Sequence, residues 1–202
     1  MSMAAYALSR PNCLFKKFFN GYIFFPTLFS GGLTASYIIN TRYLGLTDSI
    51  WVMVLPGLVN VFHVFMIRTF FKQLPDGLFD AAKIDGASEL RIYFDIALKL
   101  SKPVIATVAF MGALVRWNEW YSAMLYIRTA EKYPLQYLLQ RMMNNMNELL
   151  KNTQETVTTM DIIPGENLRM ALAVVCIGPI MCFFPFFQKY FTKGMTVGSV
   201  KG

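Results

Sequence analysis

Long stretches of chain without a charged side chain most restrict how this sequence can fold. None occurs in the 24 residues from Phe18 to Thr41, none in the 19 from Met170 to Gln188, and none in the 19 from Ser49 to Ile67 apart from the ionisable His63. Each run is long enough to cross a bilayer, whose hydrocarbon core takes about 20 helical residues. A fourth run, Pro103 to Ile127, is uncharged as far as Val115 and is then interrupted by Arg116 and Glu119. A total of 55% hydrophobic and 15% charged residues would also admit a soluble core, so the grouping of the apolar residues decides the fold class. The expected fold is all-α, a polytopic transmembrane helix bundle with approximate spans at 18–39, 49–70, 103–127 and 167–188.

A net charge of +7 would raise the question of nucleic acid in a soluble chain, but here the positions of the basic residues say more than their sum. If the segment around Arg10, Lys16 and Lys17 is cytoplasmic and the spans alternate, Arg68, Lys72, Lys83, Arg91, Lys99, Lys102, Lys189, Lys193 and Lys201 also lie inside. Twelve of the nineteen basic residues then lie on the inner side, which favours this orientation and a cytoplasmic C-terminus. The expected non-protein partner is therefore membrane lipid, with no role for nucleic acid.

Cys13, Cys176 and Cys182 are odd in number and lack metal-ligand spacing, so they read as packing residues, with no metal site, no catalytic residue and no cofactor expected. Pro26 and Gly31-Gly32 in the first run read as a kink, since membrane helices tolerate such breakers where neighbours satisfy the backbone. In the outer segment 128–167, Leu135, Leu138, Leu139, Met142 and Met146 recur at helical spacing, so part of it is an amphipathic helix. His63, the only histidine, reads as packed or hydrogen-bonded in mid-span; no intramembrane acid at suitable spacing on the same helix supports a proton relay.

The loop 74–102 is the most informative segment, because hydrophobicity drops and the pattern becomes short amphipathic helix, turn, amphipathic helix. Pro75-Asp76 offers a helix start, and Asp85-Gly86 a turn that stops the helix and redirects the chain. Leu78, Ala81, Ala82 and Ala87 give a surface of small residues that permits close approach to a partner. The run Asp80-Ala81-Ala82-Lys83-Ile84-Asp85-Gly86-Ala87, followed by Ile96-Ala97-Leu98-Lys99-Leu100-Ser101-Lys102-Pro103, resembles the cytoplasmic signature of importer-type ABC permeases. That resemblance implies that Asp80, Ala81, Ala82, Asp85, Gly86 and Ala87 form a coupling helix to a separate ATP-hydrolysing subunit. Two positions depart from the family pattern: Asp80 stands where Glu is usual, and Lys99 where Pro is usual, which removes a kink.

Arg116-Trp117-Asn118-Glu119-Trp120-Tyr121 resembles the Trp-Asn-Glu-aromatic element of sugar permeases. Trp117, Asn118, Glu119 and Trp120 are thereby candidates for the substrate path, since aromatic rings stack on sugar C–H faces and the polar groups bond hydroxyls. A plainer reading stays open: Arg116 and Glu119 pair along one helix face, and the aromatics form an interfacial belt. Tyr6 to Pro11, Tyr133 to Gln136 and Phe184 to Phe191 extend the resemblance over nearly the whole chain, toward the carbohydrate branch and the permeases of Gram-positive oligosaccharide importers. Those proteins usually have about six spans, so the first one to two spans are expected to be missing from residues 1–202.

The resemblance implies a permease subunit that translocates a sugar or oligosaccharide across the bacterial cell membrane without itself being an enzyme. Its partners would be an ATP-hydrolysing ABC subunit, a second permease subunit and an extracellular solute-binding lipoprotein. A phosphate-loop pattern is absent, in keeping with ATP binding by a partner. The alternatives are a non-transporting fragment or another polytopic membrane protein, a channel or an intramembrane enzyme; the latter lacks His-Glu-x-x-His, Gly-x-Ser-x-Gly and an intramembrane Asp pair.

Overall fold

The structure is a computed structural model that describes residues 1–11, 13–156 and 165–196, with side chains described through 148, at 167 and over 170–188. Pro164 and Lys201 fall outside the described residues, as do the side chains of Lys151, Arg169, Lys189 and Lys193. The described chain is helical, with no strand. In order it forms α1 (Ser2–Ser9), α2 (Lys16–Leu28), α3 (Gly32–Ile38), α4 (Trp51–Val54), α5 (Val61–Phe71), α6 (Asp76–Ile84), α7 (Glu89–Ile92), α8 (Leu98–Leu100), α9 (Lys102–Trp117), α10 (Tyr121–Tyr126), α11 (Leu135–Thr156) and α12 (Gly165–Thr196). Wide π-helical turns at Ile39–Tyr43 and Tyr93–Ala97 continue α3 and α7, and single 3-10 turns lie at Leu55–Gly57 and Ala130–Lys132.

Among the described residues, only α12 carries an unbroken apolar stretch long enough to cross a bilayer, Met170–Gln188; the other expected spans are interrupted. In the first, the chain does not kink but breaks: α2 and the helix from Gly32 to Tyr43 meet at 112°. Phe29 is extended, Gly32 takes the left-handed φ of +78° that glycine adopts without strain, and the Ser30 hydroxyl accepts its N–H at 3.2 Å. In the second, Pro56 sits in the 3-10 turn, and the Asn60 side chain restarts the helix by accepting the His63 amide at 3.2 Å. The third span, expected over 103–127, ends at Trp117 and resumes as α10.

Contacts divide the chain into two compact units, Met1–Tyr37 with Pro56–Gly112 and Phe187–Gly202, and Ile38–Leu55 with Ala113–Phe186. The core of the first is built where α1 lies along α5: Ala5, Tyr6 and Leu8 are buried with Val64, Ile67 and Phe71, joined by Phe79, Ile92, Tyr93, Ala97, Val104 and Val108. Ala5 lets the two helices approach closely, and the Tyr6 ring meets Phe71 edge-on at 5.7 Å. The carbonyls left free at the end of α1 are capped by cations: Arg68 Nε donates to Leu8 O at 3.2 Å, and Lys16 Nζ to Arg10 O at 2.8 Å.

In the second unit Val52, Ala123, Tyr126 and Ile127 form the core, and the buried Asn40 side chain donates to the Tyr126 hydroxyl at 3.1 Å. Elsewhere apolar side chains face outward. No residue of α2 is buried, and Phe18, Tyr22, Phe25 and Leu28 stand exposed, as do Met170, Val174, Met181, Phe183 and Phe186 on α12. In water such surface would cost about 25 cal/mol per Å². Lipid as solvent removes that cost.

Candidate functional site

The segment 74–102 folds as the local sequence dictates. Pro75 is extended and α6 begins at Asp76, whose carboxylate lies in the first turn, where the helix dipole favours it. At the other end the chain closes with the two bonds of a Schellman motif: Gly86 N donates to Lys83 O at 3.0 Å and Ala87 N to Ala82 O at 2.9 Å. Gly86 has φ +75°, the left-handed backbone that this motif requires at its turning residue. Ala82 and Ala87, which the motif brings together, pack against the core of the first unit. Asp-Gly-Ala therefore reads as a helix cap: Asp85 ends the helix, Gly86 turns the chain and Ala87 returns it to the core.

The same geometry sorts the candidate coupling residues. Asp80, Ala81, Asp85 and Gly86 are exposed, and Leu78 and Ile84 are exposed beside them, Ile84 to 86%. Ala82 and Ala87 are half-buried and face the protein. Phe79 is the inward anchor, 2% exposed, with the Arg10 guanidinium 3.2 Å from its ring centre. Ser88 then caps α7 by accepting the Arg91 amide at 3.4 Å. Glu89, next in sequence, pairs with Lys83 at 2.9 Å through one oxygen and accepts the Tyr6 hydroxyl at 2.9 Å through the other. Lys99, expected to remove a kink, pairs with Asp95 at 3.0 Å. The chain nonetheless bends by 79° at Ser101, between α8 and α9. Pro103 has no N–H to give the Lys99 carbonyl, so it breaks the helix there.

The second candidate set lies in the other unit. Trp117 ends α9, Asn118, Glu119 and Trp120 form a non-helical link, and Trp120 stands at the N-cap of α10. Trp117 Nε1 donates to the Cys176 carbonyl of α12 at 3.1 Å, three residues before Pro179. Asn118 Nδ2 folds back on Leu114 O at 2.9 Å, and Glu119 Oε1 accepts the Ser122 amide at 3.0 Å, which caps α10. Arg116 stands 3.8 Å from Glu119 and donates to the Met53 carbonyl. The Trp120 and Tyr121 rings meet edge-on at 5.8 Å. Polar groups concentrate where the helix is open.

Sequence reasoning passed over Asp48. Its backbone is left-handed at φ 54°, and its carboxylate gathers a second loop around itself. Oδ1 accepts the amides of Arg128 and Thr129, each at 2.9 Å, and Oδ2 accepts the Thr129 hydroxyl at 2.6 Å and Lys132 Nζ at 2.8 Å. The Lys132 ammonium and these further donors hold the carboxyl far below the ordinary carboxylate range. The available signal was a lone acid in the turn before α4 and a lysine in the segment after α10, too sparse to pair without a fold.

Residues 2–197 match the family described as binding-protein-dependent transport system inner membrane component. The chain belongs to that family. Protein LplC of Bacillus subtilis (strain 168) is 39% identical over 198 residues, which cover 98% of this chain and 66% of that protein. The polygalacturonan/rhamnogalacturonan transport system permease protein YtcP of the same strain is 36% identical over 208 residues, covering 100% of this chain and 70% of that protein. The crystal structure of a bacterial ABC transporter involved in the import of the acidic polysaccharide alginate matches with a TM-score of 0.78 at 30% identity, over 95% of this chain and 67% of that one. The chain thus spans about two thirds of the length of these two relatives. As a member of this inner membrane family it is a multi-pass membrane protein, and its outward-facing apolar helices fit that setting.

Proposed function

We propose that the chain is the permease subunit of an ATP-binding-cassette importer that carries a sugar or oligosaccharide across the cell membrane, itself performing no chemistry. The observation that supports this reading most directly is α6, a short capped helix between apolar segments, anchored inward by Phe79 and presenting Leu78, Ala81, Ile84 and Asp85 outward. Exposed Ile84 and Leu78 beside small Ala81 form an apolar strip suited to a groove on a partner, and the Schellman cap lets the helix move as one body. The partner is a separate ATP-hydrolysing subunit. Asp80, Ala81, Asp85 and Gly86 meet it, while Ala82 and Ala87 hold the helix to the rest of the permease.

A second permease subunit completes the pore, an extracellular solute-binding lipoprotein delivers the substrate, and lipid covers α2 and the Met170–Gln188 stretch. The C-terminus lies in the cytoplasm. Trp117, Asn118, Glu119 and Trp120 line the substrate path, on the support that the helix opens there and the Glu119 side chain is held by Ser122 and Arg116. The names of relatives that move polygalacturonan, rhamnogalacturonan and alginate support a saccharide as cargo.

Co-purification with the ATPase subunit tests the reading. Association is expected for the intact chain and lost on Gly86→Asp or deletion of residues 80–87, while membrane insertion persists. Unchanged association in both variants would overturn it.

A further inference from the structure

The coupling reading leaves open how a push on α6 reaches the helices behind it. Phe79, Ala82 and Ala87 hold α6 by apolar contact, which keeps the helix against the core without fixing a direction. A second attachment lies one turn further along: Lys83 holds Glu89 at 2.9 Å, and the other carboxylate oxygen of Glu89 takes the Tyr6 hydroxyl at 2.9 Å. Both attachments end on the same part of the chain, because Arg10 covers Phe79 and Tyr6 belongs to α1. The Arg10 guanidinium is gripped by ring faces, at 3.2 Å from the centre of Phe79 and 4.9 Å from that of Tyr6, while its Nε and Nη2 are buried and make no hydrogen bond. Ring faces attract a cation without fixing its direction. A hydrogen bond to a carboxylate is short and directional.

We infer that Glu89, held between Lys83 of the coupling helix and Tyr6 of α1, is a positioning residue that passes displacement of α6 into α1 and so into α5. This inference rests on the proposed coupling role. Tyr6 is suited to the task because its ring is locked in the core against Phe71 at 5.7 Å and Tyr93 at 5.3 Å, so its hydroxyl cannot follow Glu89 without moving α1. Tyr93 is itself tied to the start of α1 by a 2.7 Å bond to the Ser2 hydroxyl.

The cavity beside this strut supplies the probe. It holds about 410 Å³ and is lined by Tyr6, Arg10, Glu89 and Tyr93 together with the free Cys13. With Cys176→Ala and Cys182→Ala as the parent, Cys13 is the only thiol in the chain. The parent, co-purified with its ATPase subunit in lipid nanodiscs, is labelled with a maleimide without nucleotide and with ATP and vanadate. The labelling rate is expected to differ between the two states. Tyr6→Phe, which removes only the hydroxyl, and Glu89→Gln should each move that ratio about three- to tenfold toward one, the worth of a hydrogen bond to a charged group at a part-exposed site. The double variant should go no further, while ATPase retention stays at the parent's value and the melting midpoint falls no more than a lost hydrogen bond explains. A full ratio in Tyr6→Phe, or a ratio of one in a parent that retains its ATPase, would overturn the strut alone. A parent that retains no ATPase overturns the coupling role and the strut with it.

Discussion

Asp48 and Lys132 meet at 2.8 Å across 84 residues of sequence, joining the turn before α4 to the segment after α10. The Asp48 carboxyl is depressed in the folded chain, first by Lys132 and then by Thr129 and Arg128. A depressed carboxyl contributes stability that is fully present above its unfolded value of 3.8 and is lost as pH falls through the lower folded value. The clamp should therefore hold unchanged from about pH 8 to pH 5 and open only in strong acid. Hydrogen exchange at the Arg128 and Thr129 amides measures it. Asp48→Ala should speed both by about tenfold at neutral pH, and Asp48→Asn less, because it keeps an acceptor while losing the pair with Lys132.

Gly86 separates backbone cost from crowding. Nothing lies within 4 Å of where a Cβ would sit, so Gly86→Ala meets no clash and suffers only from the left-handed φ of +75°. The expected loss is about 1 kcal/mol. Gly86→Asn should lose less, since asparagine tolerates that conformation. Melting midpoints of the two variants in detergent check the order; equal losses would mean that the turn is not held as described.

How much of this could be read from the chain varies with the range of the forces involved. The cap at Gly86 and the start of α6 at Asp76 were legible because both are set by a few adjacent residues. The amphipathic α11 was legible from its period, and Leu139 is buried. Pro26 and Gly31-Gly32 permit either a kink or a break after Phe29, and the sequence does not show that Gly32, of the pair, takes the reversed backbone. Lys99 in place of proline suggests a lost bend, but Pro103 imposes one anyway. The inward turn of Ala82 and Ala87, the Glu89 bridge to Tyr6 and the Asp48 clamp all depend on partners distant in sequence, and residue type does not name such partners.

Ser101 offers a stability gain. It is fully buried at the bend before α9, and its hydroxyl has no hydrogen-bond partner. An unsatisfied buried hydroxyl costs about 1–3 kcal/mol, and alanine fills nearly the same volume. Ser101→Ala is therefore expected to raise stability by about 1 kcal/mol. The bend should survive, because Pro103 is unchanged. A lower melting midpoint would show that the hydroxyl has a partner after all.

Trp117 distinguishes a wall of the substrate path from a strap between helices. Its indole N–H reaches the Cys176 carbonyl at 3.1 Å, a bond that Trp117→Phe removes while keeping an aromatic face. As a strap, the residue should cost about 0.5–1.5 kcal/mol of stability on this change, with solute uptake reduced only as far as the amount of folded protein falls. As a wall that stacks on sugar rings, it should keep most uptake per folded molecule as Phe and lose it as Ala. Glu119→Gln completes the comparison: it keeps an acceptor for the Ser122 amide but removes the charge 3.8 Å from Arg116. Uptake measured per folded molecule should then fall with little change in melting midpoint if the carboxylate meets substrate. If Glu119 only caps α10 and pairs with Arg116, the variant should lose less than about 1 kcal/mol and transport normally.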